Sequence, residues 1–403
     1  MKSPFSDIIK KNNELIFNVT NIDVSILNSI RRVILSEIEN VAFEYEPYNI
    51  GDEQLIKIIK NTCPLHNEFL QQRLSMIPIN FSANEIINFD QSKYKFVISK
   101  KNKSNEMLNV TTKDIEIYNE KGTKYDNNFI SRLFPEDQYT KDHILITKLK
   151  PNLININEGD EFNVEMYATK NIAKNYAGFG VVSKCVYYNE IDDEQANKIL
   201  SKKIEEFKKE NEGFTSKDIE NLKIDFNNLD RQRYFCKNEF DEPNKFVFTI
   251  ESECALAPNY LFYKAILILI NKIENLIIKI TNENISFVKV KNSDNLYNLT
   301  IQNEKDTLGN LLQSLFYNKF IREGKKKDIN REDKKKDINY IGYQSPHPLE
   351  NHMIIKVQFT NKDADIKKIF IDGLQDIQNY LKQLNDSWKE TSGLSSSYAQ
   401  DIL

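Results

Sequence analysis

Two helix-forming segments constrain the possible folds of this chain more than any other feature of its sequence. Residues 258–280 carry apolar side chains around much of the predicted helix, and residues 364–388 carry a continuous apolar stripe. A helix that is apolar on most sides needs packing partners on more than one side. The first segment also contains charged side chains, which make it too polar to span a bilayer. We therefore expect both helices to bury their apolar faces inside a folded protein.

A weak internal repeat precedes the two long helices. Residues 23–30 (DVSILNSI) and 306–312 (DTLGNLL) share the order acid, hydroxyl, aliphatic, any residue, Asn, any residue, aliphatic when Val24 is left out. An acid or a hydroxyl followed by an apolar stripe is typical of a helix start. A strand-like segment precedes each copy, and a long apolar helix follows each at a distance. The repeat therefore predicts a pseudosymmetric pair whose apolar helices pack against each other.

Composition and charge are those of an ordinary folded protein with room for two or three domains. The chain has 403 residues, 40% of them hydrophobic and 28% charged, with a formal net charge of -4. A chain that mainly grips phosphates normally carries a basic excess, so this acidity argues against autonomous nucleic-acid binding. The four cysteines lie far apart without a CxxC pair, which predicts free thiols in a reducing compartment. Lysines interrupt the first residues, so we expect no signal peptide and an intracellular protein.

Local patterns predict further elements. A helix over residues 23–39 begins at Asp23, a suitable N-cap. Residues 46–188 are rich in alternating, strand-like segments, whereas residues 192–228 form a charged, helix-prone stretch whose sparse apolar positions indicate a surface excursion. The predicted strands are 14–19, 94–98, 115–118, 162–167 and 246–250.

A lysine-rich loop is predicted over residues 321–339. The segment Lys-Lys-Lys-Asp-Ile-Asn occurs there twice, at 325–330 and at 334–339. Charges of both signs alternate around it, which favours a solvated loop. A loop that contacts phosphates is the alternative.

Four short blocks in the first part of the chain carry a family signature. They are residues 28–37 (NSIRRVILSE), 61–79 (with NT, LHNEFL, RL and IPI), 168–177 (ATKNIAKNYA) and 248–252 (FTIES). These blocks resemble the alpha-like subunits of multisubunit DNA-directed RNA polymerases, namely bacterial alpha, its archaeal D-type homologue and the third-largest subunit of eukaryotic RNA polymerase II.

Three blocks in the last part resemble a different component of these polymerases. They are residues 306–312 (DTLGNLL), 342–350 (GYQSPHPLE) and 354–358 (IIKVQ). They are similar to the archaeal L-type homologue and to the eleventh subunit of eukaryotic RNA polymerase II. The fused arrangement resembles that of large cytoplasmic DNA viruses.

The resemblance implies an α+β fold with two alpha-like parts. A D-like dimerisation domain over residues 1–45 and 230–283 would hold an inserted strand-rich domain over residues 46–229. A second, small L-like α+β domain over residues 284–403 would be fused to it. The two alpha-like domains would then form an intrachain pseudo-dimer.

The function that the resemblance implies is that of a non-catalytic assembly platform for a DNA-dependent RNA polymerase. Its expected partners are the largest and second-largest catalytic subunits and small assembly subunits. The chain would be monomeric within the complex, would meet DNA only indirectly and would contact no membrane. If it is viral, we expect it in the host cytoplasm and in the virion. A stand-alone nucleic-acid-binding transcription regulator, acting through the lysine-rich loop, is the alternative.

The resemblance also suggests three groups of site residues. Contacts with other subunits are expected from Asn28, Arg31, Arg32, Arg73 and Lys174. Intrachain dimerisation is expected from Leu261, Ala265, Leu269, Leu276, Phe370, Leu374 and Leu381. The motif residues of the L-like part are Asp306, Thr307, Gly309, Asn310, His347 and Pro348.

The sequence departs from the family in ways that bear on chemistry. Eukaryotic third subunits carry a zinc-binding cysteine cluster and some archaeal D-type homologues an iron–sulfur cluster, but this inserted domain has neither. We therefore predict no metal and no other cofactor. No nucleophile–base constellation or P-loop is present, so we predict no catalytic residue. Gln313 and Ser314 stand where Arg31 and Arg32 stand in the first copy.

Overall fold

The computed structural model describes residues 3–45, 54–211, 213–291, 293–322, 337–361 and 365–394. Its helices are α1 (Val24–Ser36), α2 (Asn67–Ser75), α3 (Ala83–Ile87), α4 (Asn127–Leu133), α5 (Asp193–Glu210), α6 (Ser216–Asp225), α7 (Pro258–Thr281), α8 (Asp306–Phe316) and α9 (Ile366–Ser392). The strands of the first half are β1 (Phe5–Lys11), β2 (Glu14–Thr20), β3 (Glu39–Phe43), β4 (Ile56–Asn61), β5 (Lys95–Lys101), β6 (Leu108–Thr111), β7 (Glu116–Tyr118) and β8 (Leu145–Leu149). The later strands are β9 (Glu161–Met166), β10 (Ala168–Ile172), β11 (Val182–Asn189), β12 (Lys245–Ser252), β13 (Phe287–Lys289), β14 (Leu296–Gln302), β15 (Ile338–Gln344) and β16 (His352–Phe359).

The chain divides into two compact units. One comprises residues 1–33, 184–250 and 262–395, and we call it the repeat unit. The other comprises residues 34–183 and 251–261, and we call it the insert unit. The α+β fold class predicted from the sequence is confirmed.

The repeat unit contains the same arrangement twice. One sheet has the strand order β1-β2-β12-β11 and the other has the order β13-β14-β16-β15. In each copy a short helix, α1 or α8, follows the second strand in the chain, and a long helix, α7 or α9, follows the last. The weak sequence repeat is thus one part of a complete topological repeat, and the pseudo-dimer forms within a single chain.

Strand pairing assigns two strands differently from the predicted domain boundaries. We predicted β11 within the inserted domain, but it lies beside β12 in the first sheet of the repeat unit. We predicted β3 within the dimerisation domain, but it pairs with β10, with Glu39 opposite Ile172. Alternating apolar residues identify a strand without identifying its neighbour, because any edge with free backbone groups can accept it.

The connections between strands and helices differ between the two copies. In the first copy, residues 37–181 separate α1 from β11, and the helical excursion with α5 and α6 separates β11 from β12. In the second copy, residues 345–351 connect β15 to β16 directly. The predicted lysine-rich loop falls at the connection between α8 and β15, and its residues 323–336 lie outside the described residues. On either side, a π-helical turn over Tyr317–Arg322 extends α8, and β15 begins at Ile338.

An aromatic cluster from both copies forms part of the repeat unit's core. Trp388, on α9, is fully buried, and its ring lies 4.4 Å from that of Phe262, 4.6 Å from that of Phe17 and 5.0 Å from that of Phe5. A hydrogen bond also joins the long helices. Gln378 on α9 donates to the Glu274 carboxylate on α7 at 3.5 Å. The predicted dimerisation side chains are all buried: Leu261, Ala265, Leu269, Leu276, Phe370, Leu374 and Leu381.

Two helix ends differ from their predicted positions. Helix α1 ends at Ser36 rather than at residue 39, because β3 already begins at Glu39. Helix α9 continues to Ser392, where Gly393 adopts a left-handed conformation (φ 65°) and closes the helix.

The insert unit is built on strands. Its largest sheet has the order β4-β9-β5-β7, and two smaller sheets pair β10 with β3 and β6 with β8. Phe96 on β5 packs against Phe43 and Phe134, with ring centroids 5.0 Å and 6.2 Å away. Helix α2 turns Leu70 and Leu74 inward, where both side chains are fully buried.

Candidate subunit interface

Helices α1 and α8 run antiparallel within the repeat unit. The Asp23 carboxylate caps α1 by accepting from Ser25 N at 2.8 Å, and it also accepts from Asn318 Nδ2 at 2.8 Å, beyond the end of α8. Further along α1, Ser29 Oγ donates to the Thr307 carbonyl at 3.2 Å, at the start of α8. The start of α1 therefore lies beside the end of α8, and the start of α8 lies beside the middle of α1.

The arginines of α1 have different partners. Arg31 is half-buried and donates to the Asn28 Oδ1 atom through Nε at 3.1 Å and through Nη2 at 2.9 Å, so its guanidinium is held on its own helix. Arg32 is exposed and donates through Nε to Thr307 Oγ1 at 2.8 Å. The sequence placed Arg32 away from the apolar stripe of α1 but did not indicate this bond to the second copy.

The motif of the L-like part has a packing role at Gly309. A Cβ atom at this position would lie 2.5 Å from Tyr343 Cδ2 and 2.8 Å from Tyr343 Cγ, so only glycine lets this ring lie against α8. The backbone N–H of Tyr343 also donates to Gln313 Oε1 at 3.1 Å. Gly309 on α8 and Tyr343 on β15, one from each motif block, therefore pack against each other.

The remaining motif residues lie on turns and at exposed positions. Lys305 Nζ donates to the Pro348 carbonyl at 3.0 Å, and His347 Nδ1 accepts from Leu349 N at 3.2 Å within the turn between β15 and β16. Asp306 and Asn310 are exposed on α8. An open cavity of about 360 Å³ has both Asn28 and Asn310 in its lining, one from each copy.

An ion pair between the two copies was not predicted from the sequence. Arg322 donates to both carboxylate oxygens of Glu242, with Nη1 at 2.8 Å, and its guanidinium lies 4.4 Å from the centre of the Phe240 ring. The hydrogen bond from Arg322 lowers the pKa of the Glu242 carboxyl. This effect outweighs the increase in pKa that partial burial causes. No local signal connects residues 80 positions apart, so only the fold reveals this pair.

The other two predicted interface residues belong to the insert unit. Arg73, on α2, donates through Nε to the Ile146 carbonyl at 3.0 Å and through Nη2 to the Leu145 carbonyl at 2.7 Å. Lys174 has an exposed side chain, and its backbone N–H donates to the Ser36 carbonyl at 2.8 Å.

The described part of the chain contains no group of three or more His, Cys, Asp or Glu residues arranged to hold a metal ion. The four cysteines are free thiols, and burial raises the pKa of Cys185 to about 12. Within the same described ranges, none of the helices has the length and apolarity needed to cross a bilayer.

Comparison with known families decides what this arrangement is. The profile of the RNA polymerase Rpb3/Rpb11 dimerisation domain matches residues 16–273, more than half of the chain. The chain belongs to this family. A second Rpb3/Rpb11 dimerisation profile matches residues 333–387. That match begins after α8, so the topology of the fold extends the second Rpb3/Rpb11-type domain back to β13.

Several similar proteins are RNA polymerase subunits. The chain is 26% identical to the subunit rpac1 of RNA polymerases I and III of Dictyostelium discoideum, across 67% of this chain and 80% of that protein. It is 25% identical to the RNA polymerase subunit Rpo3 of Pyrobaculum arsenaticum, across 58% of this chain and 79% of that protein. A match of 28% identity to subunit 3B of RNA polymerases IV and V of Arabidopsis thaliana spans about half of that protein, 53%, and 44% of this chain.

Proposed function

We propose that this chain is a non-catalytic assembly subunit of a DNA-dependent RNA polymerase, and that its two Rpb3/Rpb11-type domains form one platform for the two large catalytic subunits. The observation that carries the proposal is the paired repeat: two sheets of identical strand order, with α1 and α8 antiparallel beside each other in one compact unit. In this proposal, the paired repeat supplies a binding surface and no catalytic groups. Nucleotidyl transfer would take place in the partners.

Fusion would change how the platform forms. Separate subunits that pair through long helices typically bury on the order of 2,000 Å² of surface or more. The amount of complex that they form depends on the concentrations of both subunits. Here α7 ends at Thr281 and β13 begins at Phe287, so a short segment joins the two copies. A short linker raises the local concentration of the partner to about the millimolar range. The proposal therefore includes that one chain fills the place that two subunits fill in the resembled polymerases.

The exposed side of the α1–α8 pair is the proposed docking surface for a large subunit. Arg32 is exposed on it, and Asn28 and Asn310 line the cavity there. A guanidinium suits such a surface because its fork of N–H groups can bind a carboxylate or two carbonyls at once. The proposal also includes small assembly subunits as partners. It further includes the subunit contacts predicted for Arg73 and Lys174 on the insert unit.

Two substitutions separate a docking role of Arg32 from its bond to Thr307. Arg32→Ala removes the guanidinium and the bond to Thr307, whereas Thr307→Val removes the hydroxyl that accepts this bond and keeps the guanidinium. We expect Arg32→Ala to weaken recruitment of a large subunit by about 2 kcal/mol, as an interface arginine can, and Thr307→Val to leave it nearly unchanged. The measurement is the yield of each large subunit that co-purifies with the tagged chain, beside a thermal unfolding curve for each variant.

Equal losses in the two variants would instead assign Arg32 a structural role. Mass spectrometry of the co-purified proteins tests the broader proposal. Recovery of both large polymerase subunits supports it, whereas recovery of nucleic acid without polymerase subunits would favour the stand-alone regulator. The intracellular location, and the host cytoplasm and virion if the source is a virus, remain part of this proposal.

A further inference from the structure

An open apolar groove lies in the insert unit between α2 and β8. It encloses about 450 Å³ and is walled by α2 on one side and by the residues around the start of β8 on the other. Phe69 and Met76 are 60% and 61% exposed, and Ile144 is 46% exposed. Large apolar side chains that are grouped and exposed to this degree mark interaction surfaces.

Helix α2 has two apolar faces, and the core uses one of them. Leu70 and Leu74 are fully buried and anchor the helix to the rest of the insert unit. Phe69, Arg73 and Met76 follow at i, i+4 and i+7, so they form a separate stripe that lines the groove. The exposed stripe is therefore additional to the packing that holds the helix in place.

Arg73 is the single charged side chain among the described residues that line the groove. Its bonds to the Leu145 and Ile146 carbonyls fix the guanidinium in the groove wall. Those bonds use two of the five N–H groups of a guanidinium. Among the described residues, no carboxylate oxygen lies within 4.0 Å of the Arg73 guanidinium. The arginine ion pairs found among these residues involve other arginines. An apolar segment that carries one carboxylate matches this combination of surface and charge.

The backbone of β8 argues for a helix rather than an added strand. A strand that extends a sheet binds through the carbonyl and N–H groups of the edge. The Leu145 and Ile146 carbonyls already accept from Arg73, so a strand would have to displace the guanidinium. A helix inserts side chains and needs no backbone acceptor. Phe69 to Met76 spans two helical turns, about 10 Å, which suits an occupant of two or three turns.

We propose that this groove docks an amphipathic helix of another protein, with apolar side chains between Phe69, Met76 and Ile144 and with an Asp or Glu paired to Arg73. The inference rests on the subunit contact proposed above for Arg73 and deepens it, because it names the chemistry of the segment that would bind there.

Photo-crosslinking of the full-length chain tests the proposal. p-Benzoylphenylalanine replaces Phe69 in one tagged protein and Tyr139, which is 84% exposed in the same unit, in a control. After irradiation in an extract of the native source, we expect the Phe69 position to crosslink to one segment that is helical and amphipathic and carries an acidic residue. The Tyr139 position should not crosslink to that segment.

Matched substitutions test the chemistry of the contact. Ile144→Asp, in the chain that carries the crosslinker, places a carboxylate in the groove and should lower the crosslink yield at least tenfold. Ile59→Asp makes the same change at a position 59% exposed in the same unit but outside the groove, and should leave the yield unchanged. Replacing the acidic residue of the captured segment by lysine should also lower the yield at least tenfold.

Four results would overturn the proposal: no crosslink at Phe69, a crosslink to a second copy of this chain, a crosslink to lipid, or a captured segment whose acidic residue can be changed without effect. The groove proposal and the assembly role can fail separately. Co-purification of both large subunits with no crosslink at Phe69 refutes the groove proposal alone, and capture of an acidic helix without any polymerase subunit refutes the assembly role alone.

Discussion

Trp388 provides the sharpest test of how the two repeats pack together. It is the only tryptophan of the chain, it is fully buried on α9, and it lies 4.4 Å from the ring of Phe262, on the long helix of the first copy. Phe17, on β2 of the first copy, lies 4.6 Å away. A truncation at this position therefore removes contacts between the two copies.

The expected cost follows from the buried area. A large aromatic side chain buries roughly 150–250 Å², and at about 25 cal/mol per Å² this corresponds to about 4–6 kcal/mol. Measured Trp→Ala substitutions in cores cost about 3–5 kcal/mol, since part of the cavity collapses. We therefore expect Trp388→Ala to lower the free energy of unfolding by about 4 kcal/mol. That is a large share of the roughly 5–15 kcal/mol that stabilises a typical domain.

Urea denaturation followed by far-ultraviolet circular dichroism measures this loss, because the variant has no tryptophan fluorescence. Gln383→Ala, an exposed position on the same helix, is the matched control and should change stability by less than about 0.5 kcal/mol. In the parent chain, the single indole should emit as a buried group and shift to longer wavelength on unfolding. A loss below about 1 kcal/mol in Trp388→Ala, or emission typical of a solvent-exposed indole in the folded parent, would refute the packing argument.

Further measurements test other contacts and the behaviour of the whole chain. Gly309→Ala should cost about 1–3 kcal/mol by denaturation, because the added Cβ would lie 2.5 Å from Tyr343, whereas Asn310→Ala on the exposed side of the same helix should cost little. The stability that Glu242 gains from Arg322 should be fully present above the ordinary carboxyl pKa of 4.5 and lost as the pH falls through the lowered pKa of the folded state. The difference in unfolding free energy between the parent and Arg322→Ala should therefore shrink on acidification. A constant difference from pH 7 to pH 3 would contradict this. Light scattering should show a monomer at micromolar concentration, and a stable dimer with exchanged long helices would contradict intrachain pairing. Elemental analysis should find no stoichiometric zinc or iron, and the purified chain alone should not polymerise nucleotides.

Local periodicity in the sequence was enough to predict several elements of the fold. The apolar distribution of α7 and α9 required buried helices, and the fold buries most of the apolar side chains of both. The N-cap chemistry at Asp23 marked the start of α1, where the carboxylate accepts from Ser25 N. These features depend on residues within a few positions of each other, so a linear pattern contains them.

Tertiary structure alone decided which elements are neighbours. The pairing of β11 with the first sheet, the bond from Arg32 to Thr307 and the ion pair between Arg322 and Glu242 join segments that are far apart in the chain. A strand or an arginine carries no mark of its distant partner, because many surfaces can satisfy the same backbone or guanidinium groups. The choice is made by the packing of all elements together, and this is why the groove beside α2 became visible only in the fold.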